Sequence, residues 1–141
     1  MTIATILQGK AEVVSVPPGA RVSEVVALLA ERRIGAVPVV EGGRVLGVFS
    51  ERDVIAGLAS GGAATLDRPV GEVMTAPAVT VSPGESVIGA LALITRRRIR
   101  HLPVLDGDAM IGLVSIGDLV KHRIDQIEAD AEAMRAYIQS A

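Results

Sequence analysis

Gly47-Val48-Phe49-Ser50-Glu51-Arg52-Asp53 has an echo 65 positions later in Gly112-Leu113-Val114-Ser115-Ile116-Gly117-Asp118. Glycine, serine and aspartate recur at the same spacing. Outward from this stretch the echo continues without a gap. Pro38-Val39 falls on Pro103-Val104, Arg32-Arg33-Ile34 on Arg97-Arg98-Ile99, and Val14-Ser15-Val16-Pro17-Pro18-Gly19 on Val79-Thr80-Val81-Ser82-Pro83-Gly84. From 14 to 55, 16 of 42 positions are identical to their counterparts, and ten others exchange one aliphatic for another. Two copies fall short of the three that a solenoid needs. They fit one pseudo-symmetric unit in which each copy covers the other's apolar face.

Each copy reads β-α-β-β-α, which sets the fold class as α/β (α+β). Glu12–Val16 is short and β-branched and is predicted as a strand, turned by Pro17-Pro18-Gly19. Val22, Val25, Val26 and Leu29 recur at i, i+3, i+4 and i+7, predicting an amphipathic helix that ends near Arg33; Val87, Leu91 and Ile94 keep that face in the second copy. Ala36–Val40 and Val45–Phe49 read as strands joined tightly at Glu41-Gly42-Gly43. A helix carrying Val54, Ile55 and Leu58 follows Ser50, and Ser60–Thr65 reads as a flexible linker. The expected organisation is a helical segment over 1–11, with Thr2–Leu7 capping the first copy, then repeat 1 over 12–60. A linker and lead-in over 61–76, repeat 2 over 77–122 and a C-terminal helix over 123–141 complete it.

Composition removes whole classes of function. The 141 residues are 50% hydrophobic and 21% charged, with a net charge of −2 and no cysteine. Disordered, collagen-like and disulfide-stapled classes are therefore excluded, as are thiolate chemistry and thiolate metal sites. Two histidines, His101 and His122, are too few for a His-rich metal site, and His122, between Lys121 and Arg123, reads as part of a solvated helical face. No apolar run approaches the roughly 18–20 residues of a membrane span. The start, Met1-Thr2-Ile3-Ala4-Thr5, does not read as a signal peptide, so a cytoplasmic setting is expected. Phe49 and Tyr137 are the aromatic residues. A planar ligand must then lie between aliphatic side chains and backbone.

The repeated motifs resemble those of a tandem pair of CBS domains, the regulatory module also found in IMP dehydrogenase and the gamma subunit of the AMP-activated kinase. The resemblance is carried by the Val73-Met74-Thr75 lead-in, the Ile34–Val39 and Ile99–Val104 segments, and the Gly47–Asp53 and Gly112–Asp118 segments, and it covers about residues 12–122. The tail from Ser115 to Ile138 is similar to that of small stand-alone bacterial CBS-pair proteins. The resemblance implies two repeats about a pseudo-two-fold axis and an adenosine ligand: AMP first, with ATP or NAD(H) as alternatives.

Ser50-x-x-Asp53 and Ser115-x-x-Asp118 admit two readings. Serine followed three residues on by a carboxylate is a helix start of the capping-box kind. An ionised aspartate at a helix N-terminus is also a pure acceptor, suited to the two hydroxyls of a ribose. The resemblance implies the ribose role for Asp53 and Asp118, assisted by Ser50 and Ser115. Pro38 and Pro103 cannot donate, and unpaired backbone beside them could meet an adenine edge, with its faces on neighbouring aliphatics. A plain core strand explains those residues equally well.

Family architecture pairs the Asp motif of one copy with the Pro segment of the other. The first cleft then combines Asp53 and Arg52 with Arg100, His101, Leu102 and Pro103; the second combines Asp118 and Ser115 with Ala36, Val37 and Pro38. Gly117, Gly35 and Ala36 stand in the second cleft where Arg52, Arg100 and His101 stand in the first. Phosphate needs charge-assisted donors, so the first cleft is expected to take a phosphorylated adenosine and the second to be weaker, or to take an uncharged or extended part of a ligand. Some of the arginines around Arg96–Arg100 could equally complement a helix C-terminus.

No catalytic constellation is present: phosphate-loop and dinucleotide fingerprints are missing, and neither Ser50 nor Ser115 has an adjacent histidine. A non-enzyme is expected. A nucleic-acid partner is opposed by the negative net charge and the scarcity of stacking aromatics. Val120, Ile124, Ile127, Ala131, Met134 and Ile138 trace a heptad-like stripe that lies on the chain's own core or on a partner subunit. The expectation is a homodimer that senses adenine nucleotide and signals to an unknown downstream protein. The rival is a ligand-independent dimerisation scaffold.

Overall fold

The computed structural model describes residues 1–10 and 12–140. Ala11, where the N-terminal segment was to meet repeat 1, and Ala141, the end of the expected extension, lie outside the described residues. Element order follows the repeat: α1 (Ile3–Leu7), α2 (Val22–Arg32), β1 (Ala36–Glu41), β2 (Arg44–Ser50), α3 (Glu51–Gly61), a 3-10 turn (Gly62–Asp67) and α4 (Val70–Val73) precede α5 (Val87–Arg97), β3 (His101–Asp106), β4 (Ala109–Ser115) and α6 (Ile116–Ser140).

Each repeat is built on an antiparallel hairpin. β1 pairs with β2 in the register Ala36↔Ser50 to Glu41↔Arg44, and β3 with β4 from His101↔Ser115 to Asp106↔Ala109. Gly42 (φ 59°) and Gly43 (φ 80°) supply the left-handed conformations of a tight two-residue turn, which side chains disfavour. The predicted strand Glu12–Val16 contracts to one parallel bridge between Val16 and Val39, matched by Val81 and Val104. Two amides suffice there: Val16 N–H donates to the Pro38 carbonyl (3.1 Å) and Val40 N–H to the Val16 carbonyl (2.9 Å). Pro17-Pro18 then turns the chain before a ladder can extend.

Two apolar cores result, one per repeat. The first gathers Val22, Val25 and Leu29 of α2 against Val37, Val39 and Phe49 of the hairpin, closed by Val70. The second gathers Val87, Ala90 and Ile94 against Leu102, Val104 and Val114, closed by Ile3 and Leu119. The expectation that the N-terminal helix caps the first copy is corrected: α1 caps the second. Ile3 N–H donates to the Glu85 carbonyl (2.9 Å) and Ala4 N–H to that of Pro83 (3.0 Å). α4 does the same for the first repeat, with Val70 N–H on Ala20 (2.7 Å) and Gly71 N–H on Pro18 (2.9 Å). Each lead-in thus seals the repeat it does not precede. Full burial of Ile3 contributes about 1.5–3 kcal/mol to that seal.

Ser60–Thr65 is ordered, against expectation. α3 runs to Gly61 and continues into the 3-10 turn, where Thr65 is buried and its hydroxyl donates to the Gly57 carbonyl (2.8 Å). Gly57 leaves the room: a Cβ there would meet Thr65 Cγ2 at 2.7 Å. His122 is half-buried rather than on a solvated face, and its Nε2 is buried without a hydrogen-bond partner. No helix among the described residues is long and apolar enough to cross a membrane.

Candidate functional site

Ser50 ends β2 in extended geometry (φ −127°, ψ 169°) and Asp53 falls at the third position of α3, so the two form a capping box. Ser50 N–H (2.9 Å) and Oγ (3.2 Å) both donate to Asp53 Oδ2. Asp53 Oδ1 accepts from Thr75 Oγ1 at 2.8 Å. The cap and the acceptor role are therefore compatible. A carboxylate offers about four lone-pair sites, and these neutral donors leave its full charge in place.

Thr75 arrives there because its backbone pairs with Val48, N–H to carbonyl in both directions at 3.0 Å. That close approach requires Gly47: a Cβ would lie 2.5 Å from the Thr75 carbonyl oxygen. The sequence carried Thr75 within the lead-in motif but gave no sign that it would reach Asp53.

Asp53 opens on a cleft of about 760 Å3 between the repeats. Ser50 and Arg52 line it from the first repeat, Ala78, Val79 and Arg97–His101 from the second, and Thr75 from the connection. Arg98, in left-handed conformation (φ 55°), ends α5 and turns its carbonyl toward Arg52, whose Nη1 donates to it at 2.9 Å. Arg52 thereby ties the two walls together. Burial lowers the pKa of His101 below its ordinary 6.5; Asp118 opposes this, Arg100 adds to it, Glu51 opposes it and Lys10 adds to it.

Of the residues expected to gather here, Ser50, Arg52, Asp53, Arg100 and His101 do so. Leu102 and Pro103 do not line the cleft: Leu102 is part of the second core, and Pro103 is buried with its carbonyl taken by Val81 N–H at 3.1 Å. The expectation of unpaired backbone beside the prolines is thus corrected in both copies, since Val16 N–H takes the Pro38 carbonyl. Ala36, Val37 and Pro38 are buried. The apolar walls come instead from Val79 and Ile99.

The second Ser-x-x-Asp motif differs at its carboxylate, and Gly35, expected beside it, lines the first cleft instead. Asp118 accepts from Ser115 N–H at 2.8 Å and caps α6, with its own N–H on Ser115 Oγ at 3.1 Å. Its Oδ2 is also held by the Lys10 ammonium, where Asp53 has a neutral threonine. Burial pushes the Asp118 carboxyl up, but the Lys10 hydrogen bond, the Ser115 amide and the Lys10 charge outweigh it and leave the pKa lowered. A smaller pocket of about 400 Å3 lies beside β4 and is not lined by Asp118, Ser115, Ala36, Val37 or Pro38.

A family model for the CBS domain matches residues 9–60 and 70–125. The chain belongs to the CBS domain family. A mitochondrial CBS domain-containing protein of Arabidopsis thaliana, CBSX3, is 34% identical over 123 residues; the match covers 84% of this chain and 60% of that protein. The chain thus spans less than two thirds of that CBS relative. Among solved structures, a CBS-domain protein from Burkholderia ambifaria superposes with a TM-score of 0.83 at 40% identity, over 89% of this chain and 95% of that one. The CBS domain protein PAE2072 from Pyrobaculum aerophilum, complexed with AMP, superposes with a TM-score of 0.80 at 28% identity, over 93% of this chain and 99% of that one.

Proposed function

We propose that this CBS pair is a regulatory module that binds an adenine nucleotide, AMP first, in the cleft at Asp53, and does no chemistry on it. One observation carries the reading: a carboxylate with spare acceptor capacity on the first repeat opens on the same cleft as Arg100 and His101 of the second. A ribose diol suits the first and a phosphate the second. The AMP complex of the Pyrobaculum protein supports the ligand class. ATP and NAD(H) share the adenosine part and are alternatives.

The signal would be energetic linkage. A ligand held by both repeats binds best when their walls are drawn together, and it favours that arrangement by its differential affinity. The working unit is a homodimer. α6 exposes Val120, Ile124, Ile127, Met134 and Ile138 along one stripe, and Ile55 and Leu58 of α3 are exposed as well. Only the start of α6 reaches the chain's own core, through Leu119. A second copy would cover the stripe, and a downstream protein would read the assembly.

Calorimetric titration of nucleotide-free protein with AMP, then ATP and NADH, tests this. Micromolar or tighter binding to one of them is the expected result. Silence from all three, with the dimer intact, would favour the scaffold reading instead.

A further inference from the structure

We propose that the free half of α6 pairs with the same helix of a second copy as a parallel, in-register coiled coil. The proposal rests on the homodimer reading given above and adds the surface, direction and register of the contact. α6 uses one face for its own repeat: Leu119 is buried, and His122, Arg123 and Gln126 are half-buried. From Ile127 to Ser140 every residue is exposed, so the helix has left its core behind. Propensity alone gives such a helix little stability, and its apolar face needs a partner. That face is Ile124, Ile127, Ala131, Met134 and Ile138, whose larger members are 49–64% exposed.

The alternating four- and three-residue steps set a heptad, with Ile124, Ala131 and Ile138 at position a and Ile127 and Met134 at d. Arg123 and Asp130 then fall at g, and Glu128 and Arg135 at e. In a parallel pair each g residue faces the e residue of the next heptad on the other chain. Arg123 meets the partner's Glu128 and Asp130 meets the partner's Arg135, and the two-fold axis repeats both contacts. Every one of these pairs is opposite in sign. The antiparallel arrangement that buries the whole stripe from Val120 to Ile138 sets like against like. Glu128 faces the partner's Glu128, Asp130 the partner's Asp130 and Lys121 the partner's Arg135. Sliding the helices to escape that repulsion uncovers one end of the stripe. Within one chain, Arg135 donates to the exposed Glu132 (2.9 Å) and Asp130 accepts from Gln126 (3.0 Å). Such contacts on a solvated helix are weak, so both residues can be redirected to a partner. Charge complementarity thus selects a second copy, in one direction.

The chain has no cysteine, so an introduced thiol reports the direction. In full-length Ile138→Cys, mild oxidation is expected to convert most of the protein to a disulfide-linked dimer, because equivalent core positions lie side by side in a parallel pair. Ile124→Cys should do the same at the other end of the stripe. Ile124→Cys mixed with Met134→Cys, positions that stack in the antiparallel arrangement, should give only like-with-like dimers by mass spectrometry. Asp130→Arg should weaken the dimer at least tenfold by sedimentation, and mixing it with Arg135→Asp should restore wild-type affinity. Both side chains are exposed, so the repeats stay folded. Mixed Ile124→Cys and Met134→Cys disulfides, a dimer that links to itself at neither 124 nor 138, or a dimer indifferent to Asp130→Arg would overturn the parallel pairing. A wild type that sediments as a monomer would sink the homodimer reading, and the pairing with it.

Discussion

At the scale of single residues, the site depends on charge placed where neutral donors do not cancel it. Asp53 accepts from the neutral donors Ser50 and Thr75, whereas Asp118 is paired with the Lys10 ammonium. His101 is the group whose proton should report the ligand. Its pKa is lowered chiefly by burial, so in the empty protein it is more often neutral than an exposed histidine near pH 6.5. A phosphate beside it favours the charged form. Binding of AMP is therefore expected to take up protons around and below pH 6.5, and to tighten as pH falls through that range. Titration in two buffers of different ionisation enthalpy measures the uptake, and His101→Gln should abolish it. The sign for folding is opposite. With the folded pKa below 6.5, the unfolded chain binds more protons, so this group subtracts stability as pH drops below about 6.5. Thr75→Val removes one hydrogen bond to Asp53 while Gly47 still admits the backbone. It should weaken AMP about three- to tenfold, in keeping with roughly 0.5–1.5 kcal/mol for such a bond.

At the scale of elements, the hairpins, α2, α5 and the helix starts at Ser50 and Ser115 were legible because each is set by contacts within about a dozen residues. The partner of α1 was not, since its acceptors Pro83 and Glu85 lie some 80 residues on and nothing in Thr2–Leu7 names them. Lys10 was illegible for the same reason. Pro38 and Pro103 misled in a different way: their missing N–H said nothing about who would take their carbonyls. Ile3→Ala tests the crossed capping. It should cost about 2–5 kcal/mol, and amide exchange should accelerate first in α5 and β3 of the second repeat, leaving α2 protected. Gly57→Ala sets two effects against each other. Helix propensity gains about 1 kcal/mol, but the new Cβ would sit 2.7 Å from Thr65 Cγ2, and overpacking costs about 1–3 kcal/mol. Chemical denaturation should show net destabilisation. The stripe on α6 predicts that Ile127→Asp yields monomers by light scattering, with the repeat cores intact.

At the scale of the whole molecule, two separate cores are joined by crossed lead-ins and by Arg52 across the cleft. A ligand touching both should stabilise the chain, and at about 100 times its dissociation constant the gain is roughly 2.7 kcal/mol. The cleft's membership of the pseudo-symmetric unit was readable from the repeat at 65 residues, whereas its asymmetry came from side chains that the repeat does not share. The central claim is that Asp53 is the acceptor for the nucleotide. Its most direct measurement is the AMP dissociation constant of Asp53→Asn against wild type, at a temperature where both are folded. Loss of a charged acceptor removes about 1.5–3 kcal/mol, so affinity is expected to fall roughly ten- to hundredfold. An unchanged dissociation constant would contradict the account.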